Sequence, residues 1–110
     1  LCLTQKQFNK IVKQLNEYSQ DIMDSKGPEY RSENEDILTN FKETADNLNV
    51  SELKVWGVFM DKHIQSVFSH VKNANLKKSE SIHSRFADII NYCYLGYALF
   101  VERDGEKKNY

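Results

Sequence analysis

Arg85, Asp88 and Tyr92 stand at i, i+3 and i+7, with Asn91 beside them, inside the stretch 78–101, whose second half is apolar nearly all round. A guanidinium, a carboxylate and a carboxamide on a largely apolar helix need partners, because an unpaired buried polar group costs about 1–3 kcal/mol. That requirement makes the row the first place to look for chemistry. Arg85 offers a planar fork to a phosphate, and Lys62 offers a point charge. Arg85 can equally pair with Asp88 one turn along its own helix. Acidic pairs at i, i+3 occur at Asp21/Asp24, Glu33/Asp36 and Glu43/Asp46. Converging carboxylates suit Mg²⁺, which takes hard oxygen ligands and keeps waters for a phosphate. With 16 acidic residues in the chain, such pairs also arise by chance. His63 borders an apolar face, where a histidine either packs or serves as a base. Tyr30 and Trp56 have rings that could stack on a nucleobase, although Trp56 stands at core spacing.

The elements that would position these residues are helical. Thr4-Gln5-Lys6-Gln7 fits a capping box, and Phe8, Ile11, Val12, Leu15, Tyr18, Ile22 and Met23 keep helical spacing after it. The first helix is expected over 4–25, stopped by Lys26-Gly27-Pro28. A second is expected over 35–48, with Ile37, Phe41, Ala45 and Leu48 apolar and Asp36, Asn40, Glu43 and Asn47 forming a polar stripe. That stripe reads either as a solvated face or as one wall of a site. After a turn at Leu48-Asn49-Val50, a third helix is expected over 51–72, burying Leu53, Trp56, Met60, Ile64, Val67, Phe68 and Val71. The fourth, over 80–102, places Ile82, Phe86, Ile89, Ile90, Cys93, Tyr97 and Phe100 on one broad face, expected to point inward. Residues 1–102 then form one helical domain, and 103–110 a flexible charged tail. The fold class expected is all-α, a single four-helix bundle-like domain.

Composition narrows the function classes. A chain of 110 residues supports one core. A net charge of −1, with no basic stripe, gives no direct evidence for nucleic acid as a partner. No apolar run reaches the ~20 residues of a membrane span, so no membrane partner is expected. The amino end is polar within four residues, which predicts no signal peptide. Two cysteines, Cys2 and Cys93, make no disulfide framework. Cys93 reads as a small buried hydrophobe, and a cytoplasmic location is expected. A glycine-rich phosphate loop, a Cys-x-x-Cys pair and a nucleophile elbow are all absent.

Several segments in order resemble a known family. They are Lys26-Gly27-Pro28-Glu29-Tyr30, Glu35-Asp36-Ile37-Leu38-Thr39-Asn40-Phe41, Asp61-Lys62, and Glu80-Ser81-Ile82 leading to Asp88-Ile89-Ile90-Asn91-Tyr92. The series resembles the nucleotide modification associated domain proteins, small all-α proteins of phages and bacteria. The helical pattern is distantly similar to the MazG-type all-α nucleoside triphosphate pyrophosphohydrolases. The resemblance covers roughly residues 20 to 101 and singles out Tyr30, Asp36, Asn40, Asp61, Lys62, Asp88 and Asn91. Glu29, Ile37 and Gln65 stand where the family usually has Asp, Pro and Arg, and the Glu-x-x-Glu metal motif of the MazG type is absent. The resemblance therefore implies nucleotide binding more than hydrolysis.

The joint expectation is a phage or prophage nucleotide-metabolism protein, with Mg²⁺-dependent nucleoside triphosphate hydrolysis as its possible reaction. A nucleotide would lie between helices 2, 3 and 4. Tyr30, Asn40, Lys62, Arg85 and Asn91 would bind it, and Asp36, Asp61 and Asp88 would hold Mg²⁺. The alternative is a non-catalytic accessory factor that sequesters nucleotides or binds proteins. A structural helical oligomer is the third reading, favoured if apolar rows lie exposed and no polar pocket exists. A homodimer is expected, because the first and fourth helices carry wider apolar arcs than one small domain can hide.

Overall fold

Thr4 opens the first helix by both bonds of the capping box. Its Oγ1 accepts from the Gln7 N–H at 3.1 Å, and its own N–H donates to Gln7 Oε1 at 2.8 Å. In the computed structural model, which describes residues 2–26, 36–73 and 81–105, this helix is α1, Gln5–Lys26. It is followed by α2 (Thr39–Leu48), α3 (Glu52–Lys72) and α4 (Ile82–Asp104). The described residues contain no strand, and the fold is all-α.

α2 begins at Thr39, four residues later than its apolar spacing predicts. Asp36 uses its side chain on the backbone instead: Oδ1 accepts from the Leu38 N–H at 2.9 Å, and its carbonyl accepts from Thr39 Oγ1 at 2.6 Å. Such local bonding offers the chain a turn in place of a helical start. The other end of α2 closes on Asn49, whose φ of 55° is left-handed. The Asn49 N–H donates to the Asp46 carbonyl and the Val50 N–H to that of Ala45, a Schellman pair that Asn tolerates well. Ser51 then caps α3 by accepting from the Lys54 N–H at 3.1 Å.

The helices are not arranged as a closed ring. α4 lies between α1 and α3, and α2 packs on α3. α1 makes no comparable contact with α2 or α3 among the described residues. The core gathers where α2 crosses the α3/α4 seam: Leu38, Phe41, Ala45, Val55 and Leu99 are buried, with Trp56, Tyr92 and Leu95 packed against them. Phe41 meets Tyr92 and Phe59 edge-on, at centroid distances of 6.2 and 6.4 Å.

This placement corrects the expected inward faces of α3 and α4. In α3, Val55 is buried while Phe68 and Val71 are exposed, because the ten-residue α2 covers only one end of its longer neighbour. In α1, Phe8, Ile11 and Val12 are exposed, and the helix is held further along. In α4 the broad apolar face is turned outward. Ile82, Phe86, Cys93, Tyr97 and Phe100 are exposed, while Ala87, Asn91, Gly96 and Leu99 are buried. Small residues let α3 and α1 approach closely on that arc, so it becomes the inner one, and Cys93 is surface rather than core.

Candidate functional site

The polar row of α4 is tied to two different helices. Asp88 faces α3, where its Oδ2 lies 3.7 Å from His63 Nδ1. The His63 ring rests on Tyr92 at 4.7 Å. Asn91 faces α1: it is 6% exposed, and its Nδ2 donates to the Ser19 carbonyl at 3.0 Å. Its Oδ1 has no hydrogen-bond partner among the described residues. Ser19 is itself buried, and its hydroxyl donates to the Leu15 carbonyl at 2.6 Å. Arg85 is half-buried and held by contacts of its own. Nearer the start of α4, His83 packs against Tyr18 of α1, the ring centroids 4.6 Å apart and the planes tilted by 54°.

The remaining expected site residues are engaged elsewhere. Asp36 Oδ2 accepts from Lys42, and Lys42 Nζ also lies 2.8 Å from Glu102 of α4. The Lys42 hydrogen bond, seconded by the Leu38 N–H, holds the Asp36 carboxyl below its ordinary pKa of 3.8. Its bonds to Asp36 and then Glu102 push the Lys42 ammonium above its ordinary 10.5. Asp61 is exposed and accepts from Gln65 Nε2 on its own helix. Lys62 and Asn40 are exposed. Asn40 points away because Phe41 and Ala45, one helical turn apart, are the pair that turns inward. Tyr30 lies outside the described residues, as do Glu29, Glu33, Glu35 and Glu80.

Asp36, Asp61 and Asp88 therefore do not meet. No group of three or more His, Cys, Asp or Glu side chains among the described residues could hold a metal ion. Mg²⁺ prefers octahedral oxygen ligation, and a carboxylate answering a lysine, one answering a glutamine and one beside a histidine do not make such a set. The described residues do not fit the expected metal.

The surface hollows are of a different character. One groove of about 350 Å³ runs between α1 and the start of α4, lined by Ile11, Leu15, Tyr18, Ile82 and Phe86, with Gln14 and His83 at its edge. A second, of about 380 Å³, lies between α2 and α3 and is lined by Leu48, Val50, Val55, Val58 and Phe59, with Thr44 and Lys54. Both are apolar and open to solvent. Sequence periodicity finds the apolar residues of the first groove and Leu48 of the second, but Val55, Val58 and Phe59 fall off the face it expects α3 to bury. Gly96 was the available signal. A glycine inside a helix costs about 1 kcal/mol against alanine, and often marks a close approach.

No helix among the described residues is long and apolar enough to cross a membrane. No family model, curated protein or solved structure matches the chain.

Proposed function

We propose that this chain is a non-catalytic helical interaction module that works by binding another polypeptide through its exposed apolar helix faces. One observation carries the reading: both grooves are lined mainly by aliphatic and aromatic side chains, while those polar residues expected at a nucleotide site that are described are tied into contacts between or within helices or stand apart on the surface. A nucleotide needs several cationic or donor groups converging on its phosphates. Lys42, between Asp36 and Glu102, is already neutralised by two carboxylates. An apolar groove between two helices suits a helical or aromatic side-chain guest instead.

On this reading the polar row of α4 fixes the register of the three helices that meet there. Asn91 sets α1 against α4, and Asp88 with His63 sets α3 against it. Buried polar groups used in this way trade some stability for a single arrangement.

The test is titration calorimetry of the purified chain with the common nucleoside mono- and triphosphates in the presence of Mg²⁺. The expected result is no saturable heat, with Asp88→Asn changing only the melting temperature. Saturable binding that Asp88→Asn abolishes without unfolding the protein would replace this reading with nucleotide binding by the α4 row.

A further inference from the structure

The outward face of α4 has the dimensions and the chemistry of an interface. Ile82, Phe86, Ile89, Cys93, Tyr97 and Phe100 follow one another at intervals of three or four residues, the spacing of a helix–helix seam. Ile82 is 42% exposed, Phe86 45%, Tyr97 60% and Phe100 39%. The charged residues of α4 before Glu102 are Arg85 and Asp88, and both fall outside this arc at ~100° per residue. The seam runs into the first groove through Ile82 and Phe86, and so joins the exposed Ile11 of α1. Phe86, Tyr97 and Phe100 each leave about two-fifths or more of a large ring residue uncovered, and with Ile82 and Ile11 the apolar surface is on the order of several hundred Å². A specific interface takes about 800 Å² from each partner, whereas an isolated apolar patch on a monomer is usually ~300–600 Å².

We infer that a second copy of this chain covers the face, with the two α4 helices antiparallel across a two-fold axis at Cys93. This inference rests on the interaction reading above and names its partner. The argument for a second copy is that the seam is complementary to itself. A two-fold interface must present the same patch twice, residue i meeting j while j meets i. About an axis at Cys93, Phe86 faces Phe100 of the second copy and Ile89 faces Tyr97, in both directions. Phe86, Ile89, Cys93, Tyr97 and Phe100 meet one another, whereas Ile82 meets Asp104 of the second copy, and no like charges are brought together along the seam. Each Phe100 then reaches the groove beside Phe86, whose walls are Ile11 and Leu15 of α1. Helices packed 8–10 Å apart bring facing Cα atoms at the axis close enough for the Cα separation below about 7 Å that a disulfide requires.

The prediction is read by sedimentation and by cross-linking of the full chain. At micromolar concentration the particle should have twice the 12.9 kDa chain mass. Tyr97→Glu, at a seam position that is 60% exposed, should return it to single-chain mass with its helical circular dichroism intact. Phe86→Glu should do the same, which keeps the test open if one variant misfolds. Copper–phenanthroline oxidation should yield a covalent dimer from the wild type and from Cys2→Ser, and none from Cys93→Ser. A wild-type monomer at tens of micromolar, or cross-linking that needs Cys2 instead of Cys93, overturns the inference. A monomer that binds no Mg²⁺-nucleotide removes only the second copy as partner. Nucleotide binding in the calorimeter removes the interaction reading itself.

Discussion

Trp56 of α3 lies directly on Gly96 of α4: a Cβ built at Gly96 would stand 2.4 Å from two ring carbons of the indole. The same indole donates its Nε1–H to the Tyr92 carbonyl at 2.7 Å. That carbonyl lies one turn before Gly96, so the ring is fixed at both its face and its edge. Trp56 is thus a clamp between α3 and α4.

Gly96→Ala should therefore destabilise the fold by about 1–3 kcal/mol, the usual cost of forcing atoms into a packed contact. It should also shift Trp56 fluorescence, since the ring must leave its place. Gly57 is the control, because an added Cβ there meets nothing within 4 Å. Gly57→Ala should stabilise by up to about 1 kcal/mol through helix propensity. Denaturant titration of both variants checks the pair. Equal effects would mean that the Trp56–Gly96 contact is not what holds the helices.

This contact also explains how much was legible in the sequence. The caps of α1 and α3 were readable, because Thr4 and Ser51 act within three residues of themselves. Helix type was readable from apolar spacing. The direction each face points was not, because it depends on which helix is the neighbour. The face of α4 richest in large apolar side chains looks inward by hydropathy alone. The tightest packing instead follows its small residues, Ala87 and Gly96, which let other helices approach. For a related reason, the lack of convergence of Asp36, Asp61 and Asp88 was not legible. Spacing can place Asp88 and Asn91 on one helix, but it does not say that one turns to α3 and the other to α1.

Asn91 tests whether the polar row serves architecture. Asn91→Leu keeps the branched shape and heavy-atom count, with a somewhat larger volume, and removes the amide, including the Oδ1 without a hydrogen bond among the described residues. It should cost no more than about 1.5 kcal/mol. Asn91→Asp keeps the shape but places a carboxylate against the Ser19 carbonyl oxygen, and should cost about 3 kcal/mol or more near neutral pH. Thermal melts of the two variants should rank in that order. A far more harmful leucine would show that Oδ1 has a partner of its own.

Thr4→Ala removes the hydroxyl that receives the Gln7 N–H. The expected cost is about 1 kcal/mol, within the range for losing an N-cap. Because α1 is held chiefly by α4, the loss should appear as fraying at its start, read as faster amide exchange over residues 5–8, with the α2–α4 core unchanged. Uniform acceleration across all four helices would show that α1 folds as one unit with the rest.

The ion triad of Asp36, Lys42 and Glu102 gives stability a defined dependence on pH. Lys42 bridges the turn before α2 to the end of α4. The Asp36 carboxyl is held below its ordinary 3.8 in the folded chain, so the unfolded chain takes up its proton first. Its contribution is present above that value and disappears as pH falls through the lower folded one. Lys42 has the opposite sign. Its folded pKa is raised above the ordinary 10.5, so its contribution is present below 10.5 and is lost as pH rises through the higher folded value. The triad thus works between roughly pH 4 and 10.5. Asp36 and Lys42 both have about a third of their side chains exposed, so solvent screens the pair and its worth stays at or below about 1 kcal/mol. Lys42→Met should lower stability by that order at pH 7 in low salt. It should also flatten the acid limb and lose its effect in 1 M salt, where screening acts within ~3 Å. Urea unfolding at pH 3, 7 and 11, with and without salt, measures all three. An effect of Lys42→Met that is the same at pH 3 as at pH 7 would show that the side chain acts through packing of its stem and not through its charge.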